Sequence, residues 1–169
     1  MSLIVTTCSL AAASYVQKKA LSKLFDIALH KTIVSSLYNL INSVSSIKEL
    51  EHNDFNNIIK ELDLDFKLEL IQSFLDDITN VLEPIDESVT HIQTNITKSL
   101  TVSLNYLNKI ITEIHVLINT IKEKIEYHKT KYFNYYRTLD ITQDLTRLKQ
   151  DHDILMSRFD LIIKIIIKK

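Results

Sequence analysis

Six histidines and one cysteine are the side chains best suited to metal or nucleophilic chemistry here, and their spacing decides against both. Di-iron helical bundles carry a glutamate three residues ahead of a histidine on two separate helices. Among His30, His52, His91, His115, His128 and His152, only His52 has one, Glu49. No two histidines stand three or four apart as zinc ligands on one helix would, and Cys8 has no second thiol to join it. Glycine is absent from all 169 residues. At ordinary usage a chain of this length would carry about 12. Without them, phosphate-cradling loops, nucleotide-binding turns and nucleophile elbows are disfavoured, because each needs positive φ or close backbone approach. No catalytic residue, metal, cofactor or small-molecule substrate is expected, and the chain reads as a non-enzyme.

What the residue types do offer is surface. Tyr127, Lys129, Lys131, Tyr132, Phe133, Tyr135, Tyr136 and Arg137 fall within 11 residues and hold four of the seven tyrosines. A helix end that packs its rings on the bundle, with hydroxyls and amines left in water, accounts for such a run; as a surface, rings beside cations suit a protein interface first, then a lipid headgroup region or single-stranded nucleic acid. Nucleic acid is disfavoured, since the pI is about 6.6 and no nucleic-acid motif is present. Both chain ends are apolar. Leu3, Ile4, Val5 and Leu10 lie in a first apolar stretch followed by Lys18 and Lys19, and the last residues, with Lys164, Ile165, Ile167, Lys168 and Lys169, read LIIKIIIKK. A helix apolar on every side must be buried or bound to something. Such ends could contact a partner or an anionic membrane. His152 is a different kind of candidate. It occupies a seam position in a heptad stripe, where a charged imidazole would be costly, and is therefore a candidate pH-sensitive core position.

These residues must be held by helices. The 25 isoleucines and 23 leucines recur in steps of three and four, which is the helical period. A first helix is expected from about Ser9 to Ser46, its stripe formed by Leu21, Leu24, Phe25, Ala28, Ile33, Leu37, Leu40, Val44 and Ile47. A short helix should follow, capped by Asn53 or Asp54, with Phe55, Ile58, Ile59 and Leu62 on one face. The next stripe, capped by Asp63 or Asp65, runs through Leu68, Ile71, Phe74 or Leu75, Ile78 and Leu82 to Pro84, where a kink or tight break is expected. Beyond it come Leu100, Leu104, Leu107, Ile111, Ile114, Ile118, Ile121 and Ile125. A single helix from Asp65 to Tyr135 would be about 105 Å long at 1.5 Å per residue, so the chain should reverse near Pro84 or within Thr97 to Ser103. Leu100, Val102, Leu104 and Tyr106 alternate with polar residues as a strand would, but no turn or partner strand is near, and helix is expected. The last helix should begin at Asp140, with Gln143 completing a capping box, and bury Ile141, Leu145, Leu148, His152, Leu155, Phe159, Ile162 and Ile166. All the proposed turns use Ser, Asn, Asp, Thr or Pro, and none calls for a left-handed residue.

The fold class is thus all-α: one domain over residues 1–169, an antiparallel bundle of four to five helices, long and partly coiled-coil-like. Charge is unevenly spread, with 12 acidic and two basic residues from Glu49 to Glu87. Faces that complement one another within the fold account for that pattern. The abundance of isoleucine, lysine and asparagine suggests an AT-rich genome, such as that of a low-GC bacterium, a protist or a large DNA virus. The lone cysteine and the lack of a membrane-length apolar run imply an intracellular, cytoplasmic protein, peripheral to a membrane at most.

The expected function is a helical interaction or assembly module, structural or regulatory, that recognises a protein partner or a second copy through its apolar faces. A bundle with an apolar first helix and a following brace helix is also similar in layout to the membrane-permeabilising domains of the necroptosis pseudokinase and of fungal HeLo-type proteins. That resemblance covers most of the chain and rests on helix order and size. It implies a membrane-associating or membrane-permeabilising alternative.

Overall fold

The structure, a computed structural model, describes residues 27–50, 52–81, 94–131 and 138–167. Among them there are five helices and no strand: α1 (Ile27–Lys48), α2 (Asn53–Leu62), α3 (Leu64–Val81), α4 (Thr94–Thr130) and α5 (Thr142–Ile167). The all-α class read from the sequence is the one observed.

Each helix is where its apolar period places it. Ile33, Leu37, Leu40, Val44 and Ile47 bury one stripe of α1, in steps of four and three. Ala28, expected on the same stripe, is exposed instead. The α5 stripe is buried from Ile141 to Ile166, His152 included. Along α4 the stripe from Leu100 to Ile125 is buried as expected, and Ile110 and Leu117 widen it. That widening lets one helix serve two neighbours, and α4 packs along both α1 and α5. The buried residues of all five helices form one apolar core.

Polar contacts fix how the ends meet. Lys48, at the end of α1, pairs with Asp65 at the start of α3, while His30, near the start of α1, bonds the Leu75 carbonyl late in α3. Lys124 reaches Asp144 at 2.6 Å, and Arg158 donates to the Tyr106 carbonyl at 2.6 Å, so the end of α4 meets the start of α5. The 37 residues of α4 make a rod of about 55 Å. It runs unbroken through Thr97–Ser103, so the reversal considered there does not occur. Leu100 and Leu104 are buried whereas Val102 and Tyr106 face solvent, which is a helical spacing of four and no strand alternation. Pro84 lies outside the described residues, as do Glu87 and His91.

Helix ends differ from the expected caps in two places. His52 occupies the cap position of α2 with no side-chain cap bond, and its carbonyl accepts the Asn56 N–H at 3.0 Å. Asp63 neither caps α3 by its carboxylate nor has ordinary backbone: it ends α2 in the left-handed region, at φ 50° and ψ 41°. Its N–H donates back to the Lys60 carbonyl at 3.1 Å, while its own carbonyl accepts the Lys67 N–H at 3.1 Å. One residue thereby closes one helix and opens the next, which is what lets α2 and α3 meet at a sharp corner. Left-handed backbone crowds a Cβ and is usually given to glycine. Asp63→Gly is expected to raise the melting temperature slightly, and Asp63→Val to lower stability by about 1–2 kcal/mol, both read by thermal unfolding. Equal melting points for the two variants would contradict this backbone assignment.

At α5 the Ile141 carbonyl accepts the Leu145 N–H at 2.9 Å, so Asp140 stands one residue ahead of the cap position, and Gln143 does not complete the expected box. The Asp140 carboxylate accepts the Thr142 N–H at 3.0 Å, and this bond holds Asp140 below the usual carboxylate range.

Candidate functional site

Ordinary helices in a small bundle put polar residues outward, and α4 does not do so consistently. Val102, Tyr106, Val116 and Tyr127 are all exposed. At 100° per residue these four fall within about 80° of one another, on a stripe whose steps fit the four-three alternation. Lys109 and Glu113, paired at 3.8 Å, sit on the same stripe between Tyr106 and Val116. The neighbouring helix α5 has exposed apolar residues of its own. Ile154 and Leu161 are exposed, and lie about 40° and 60° around that helix from Arg158, on the side away from the core. Arg158 bridges the two helices, with its guanidinium 5.5 Å from the centre of the Tyr106 ring. Tyrosine and arginine beside aliphatic side chains are the residue types that dominate binding at protein interfaces. Of this surface the sequence points to Tyr127 alone. Only the 3.6-residue period of α4, read for its outward residues, would have found the rest of it.

The aromatic and basic stretch named from the sequence is partly described. Tyr127 is exposed, and Lys131 lies over its ring at 4.2 Å. Lys129 donates to the Leu50 carbonyl at 2.6 Å, and so closes the end of α1. Tyr132, Phe133, Tyr135, Tyr136 and Arg137 lie outside the described residues. The terminal candidates divide in the same way. Ile165 packs against the core, Lys164 and Ile167 are exposed, and Lys168, Lys169, Leu3, Ile4, Val5 and Leu10 fall outside the described residues. The end of α5 is therefore not apolar to solvent on every side. Ile162 and Ile166 turn inward, and Leu161 and Ile167 outward. No helix of the described residues is long and apolar enough to cross a membrane.

His152 is 4% exposed, as its seam position implied. The Nζ of Lys67, 85 residues away on α3, stands 3.1 Å from its Nε2 and also donates to the Leu62 carbonyl at 2.6 Å. On the other ring nitrogen, Nδ1 lies 3.1 Å from the Asp153 carboxylate. An ammonium can only donate, so Nε2 accepts and Nδ1 carries the proton: the imidazole is neutral. Burial holds its pKa below the ordinary histidine value, Asp153 opposes this, and the Lys67 charge adds to it. Beside it Asp151 is buried too. Burial pushes its carboxyl above the usual range, against the pull of Arg147 at 3.6 Å, and Oδ2 accepts no hydrogen bond. One turn earlier Lys149 grips both oxygens of Glu61 at 2.9 Å and ties α2 to α5.

Near that tie is a cleft of about 360 Å³ between α2 and the start of α5. Its floor is Ile58, Ile141 and Leu145, and Lys149 at its rim is already engaged by Glu61. Among the described residues, no three His, Cys, Asp or Glu side chains are arranged to hold a metal ion.

Fold and surface together define an all-α bundle with exposed apolar residues along one stripe of α4 and a part-buried Lys–His contact. No protein-family model matches the chain, and no solved structure does. The chain belongs to the same family as "Uncharacterized protein L717" of Acanthamoeba polyphaga mimivirus, with which it is 37% identical over 139 residues, 73% of this chain and 68% of the relative. A viral relative accords with the viral origin that the isoleucine-, lysine- and asparagine-rich composition allowed.

Proposed function

We propose that the protein is a non-enzymatic helical interaction or assembly module, working through the outward stripe of α4 and the adjoining flank of α5. The observation that carries this reading is the alignment of Val102, Tyr106, Val116 and Tyr127 on one exposed side of a 37-residue helix. Four scattered apolar residues would need no explanation, but four on one stripe of a long rod, alternating with Lys109, Glu113, Thr120 and Glu123, form a mixed apolar and polar contact line of the kind that interfaces use. Val102→Glu with Val116→Glu leaves the core untouched and should abolish association. Light scattering after gel filtration tests this on the full chain, together with affinity capture from host cells. Self-association, or a captured protein, that is lost in the double variant supports the module. A strictly monomeric species at high concentration that captures nothing sinks it.

A further inference from the structure

Independently of that surface, the geometry points to a proton-operated latch, in which the Lys67–His152 contact holds the corner of α2 and α3 against α5 and releases it on acidification. At neutral pH the Lys67 ammonium bridges two acceptors, the Leu62 carbonyl at the end of α2 and Nε2 of His152 on α5. Three helices therefore meet at one nitrogen atom. Adding a proton to Nε2 turns that acceptor into a donor and places two cations 3.1 Å apart, at a histidine that is only 4% exposed. Neither the hydrogen bond nor the burial survives that change.

The other charges around the ring do not remove the conflict. Asp153 on α5 stays 3.1 Å from Nδ1, but its side chain is 81% exposed and screened by water. Asp151 on the same helix faces Arg147, and Glu113 of α4 acts on Asp151 as a like charge. Glu61 of α2 is held by Lys149, and Lys48 of α1 is held by Asp65 of α3. Lys67 is thus the charge that bears on Nε2.

The sign follows from linkage. The folded-state pKa of His152 is depressed, so its contribution to stability is complete above the ordinary imidazole value of about 6.5. It is lost as pH falls from there through the folded value. Across that window a single proton favours the open corner, by at most about tenfold per pH unit.

Two measurements on the full chain test the latch. In an NMR titration His152 should titrate below the ordinary imidazole value, and Lys67→Met should move its midpoint upward. Amide exchange in α2 and the first turn of α3, corrected for the intrinsic pH dependence, should accelerate as pH falls across the window, by up to about tenfold per pH unit. Exchange in the middle of α4 should not change in step. His152→Gln, which cannot take the proton, should abolish the acceleration. An unmoved midpoint in Lys67→Met overturns the latch, and so does an acid step that persists in His152→Gln. If the glutamine variant does not fold, the lysine titration alone decides.

Discussion

Ile114→Asp is expected to leave the protein unfolded at room temperature, whereas Val116→Asp, two residues further along α4, should change the melting temperature by no more than about 2 °C. Ile114 is 0% exposed and Val116 is 59% exposed. At position 114 the carboxylate has no partner in the core, so its ionised form costs several kcal/mol in addition to the apolar packing that the isoleucine supplied. That sum, on the order of 5 kcal/mol or more, matches the whole stability of a typical domain. At position 116 valine and aspartate have similar helix propensities and both face water, so the two nearly cancel. Far-ultraviolet circular dichroism with thermal unfolding reads both variants. A folded Ile114→Asp protein would mean that the inward face of α4 has been wrongly placed.

The second large effect is expected at Phe159. Its ring is 3% exposed and meets Phe74 edge to face, with centroids 5.2 Å apart and planes at 89°. This pair is the aromatic contact between α3 and α5. Phe159→Ala should cost about 3–5 kcal/mol, through the lost burial and the cavity left behind. The edge-to-face geometry itself accounts for about 0.5–1.5 kcal/mol of the total. Phe159→Leu keeps most of the volume and should cost much less. Urea unfolding midpoints of the two variants check the order, and a smaller loss for alanine than for leucine would contradict the packing.

Both predictions rest on residues whose burial was legible in the sequence. The stripes of α4 and α5 were readable because isoleucine and leucine recur along them with no glycine or proline to interrupt the period. Where the reading failed, tertiary packing or special backbone decided. Thr97–Ser103 was one of two places for a reversal because a single helix from Asp65 to Tyr135 would be too long, but these residues simply continue α4. Asp63 was read as a side-chain cap because aspartate before an apolar stripe usually is one. Its left-handed backbone is a property of the corner, and no local pattern announces it. His152 could be identified as a buried titratable residue from its heptad position. Lys67 could not be paired with it, since 85 residues separate them and only the packing of α3 on α5 brings them together. The outward stripe of α4 was missed for another reason. Val102 and Tyr106 were read for a strand alternation, Tyr127 only with the aromatic and basic residues that follow it, and Val116 not at all, so their common face went uncounted.

The double duty of α4, packed on α1 along one side and on α5 along the other, also bears on the order in which the chain assembles. The contacts of α4 with α5 begin at short separation, with Lys124 and Asp144 only 20 residues apart. Those with α1 are long, since Lys129 and Leu50 are 79 apart. Closing the longer loop costs about 1.2 kcal/mol more in chain entropy, two doublings at roughly 0.6 each. The nearer pair is therefore the natural nucleus, and α1 docks onto a surface already made. A nascent chain has to keep the apolar face of α1 out of trouble until α4 emerges, roughly 50 to 80 residues later.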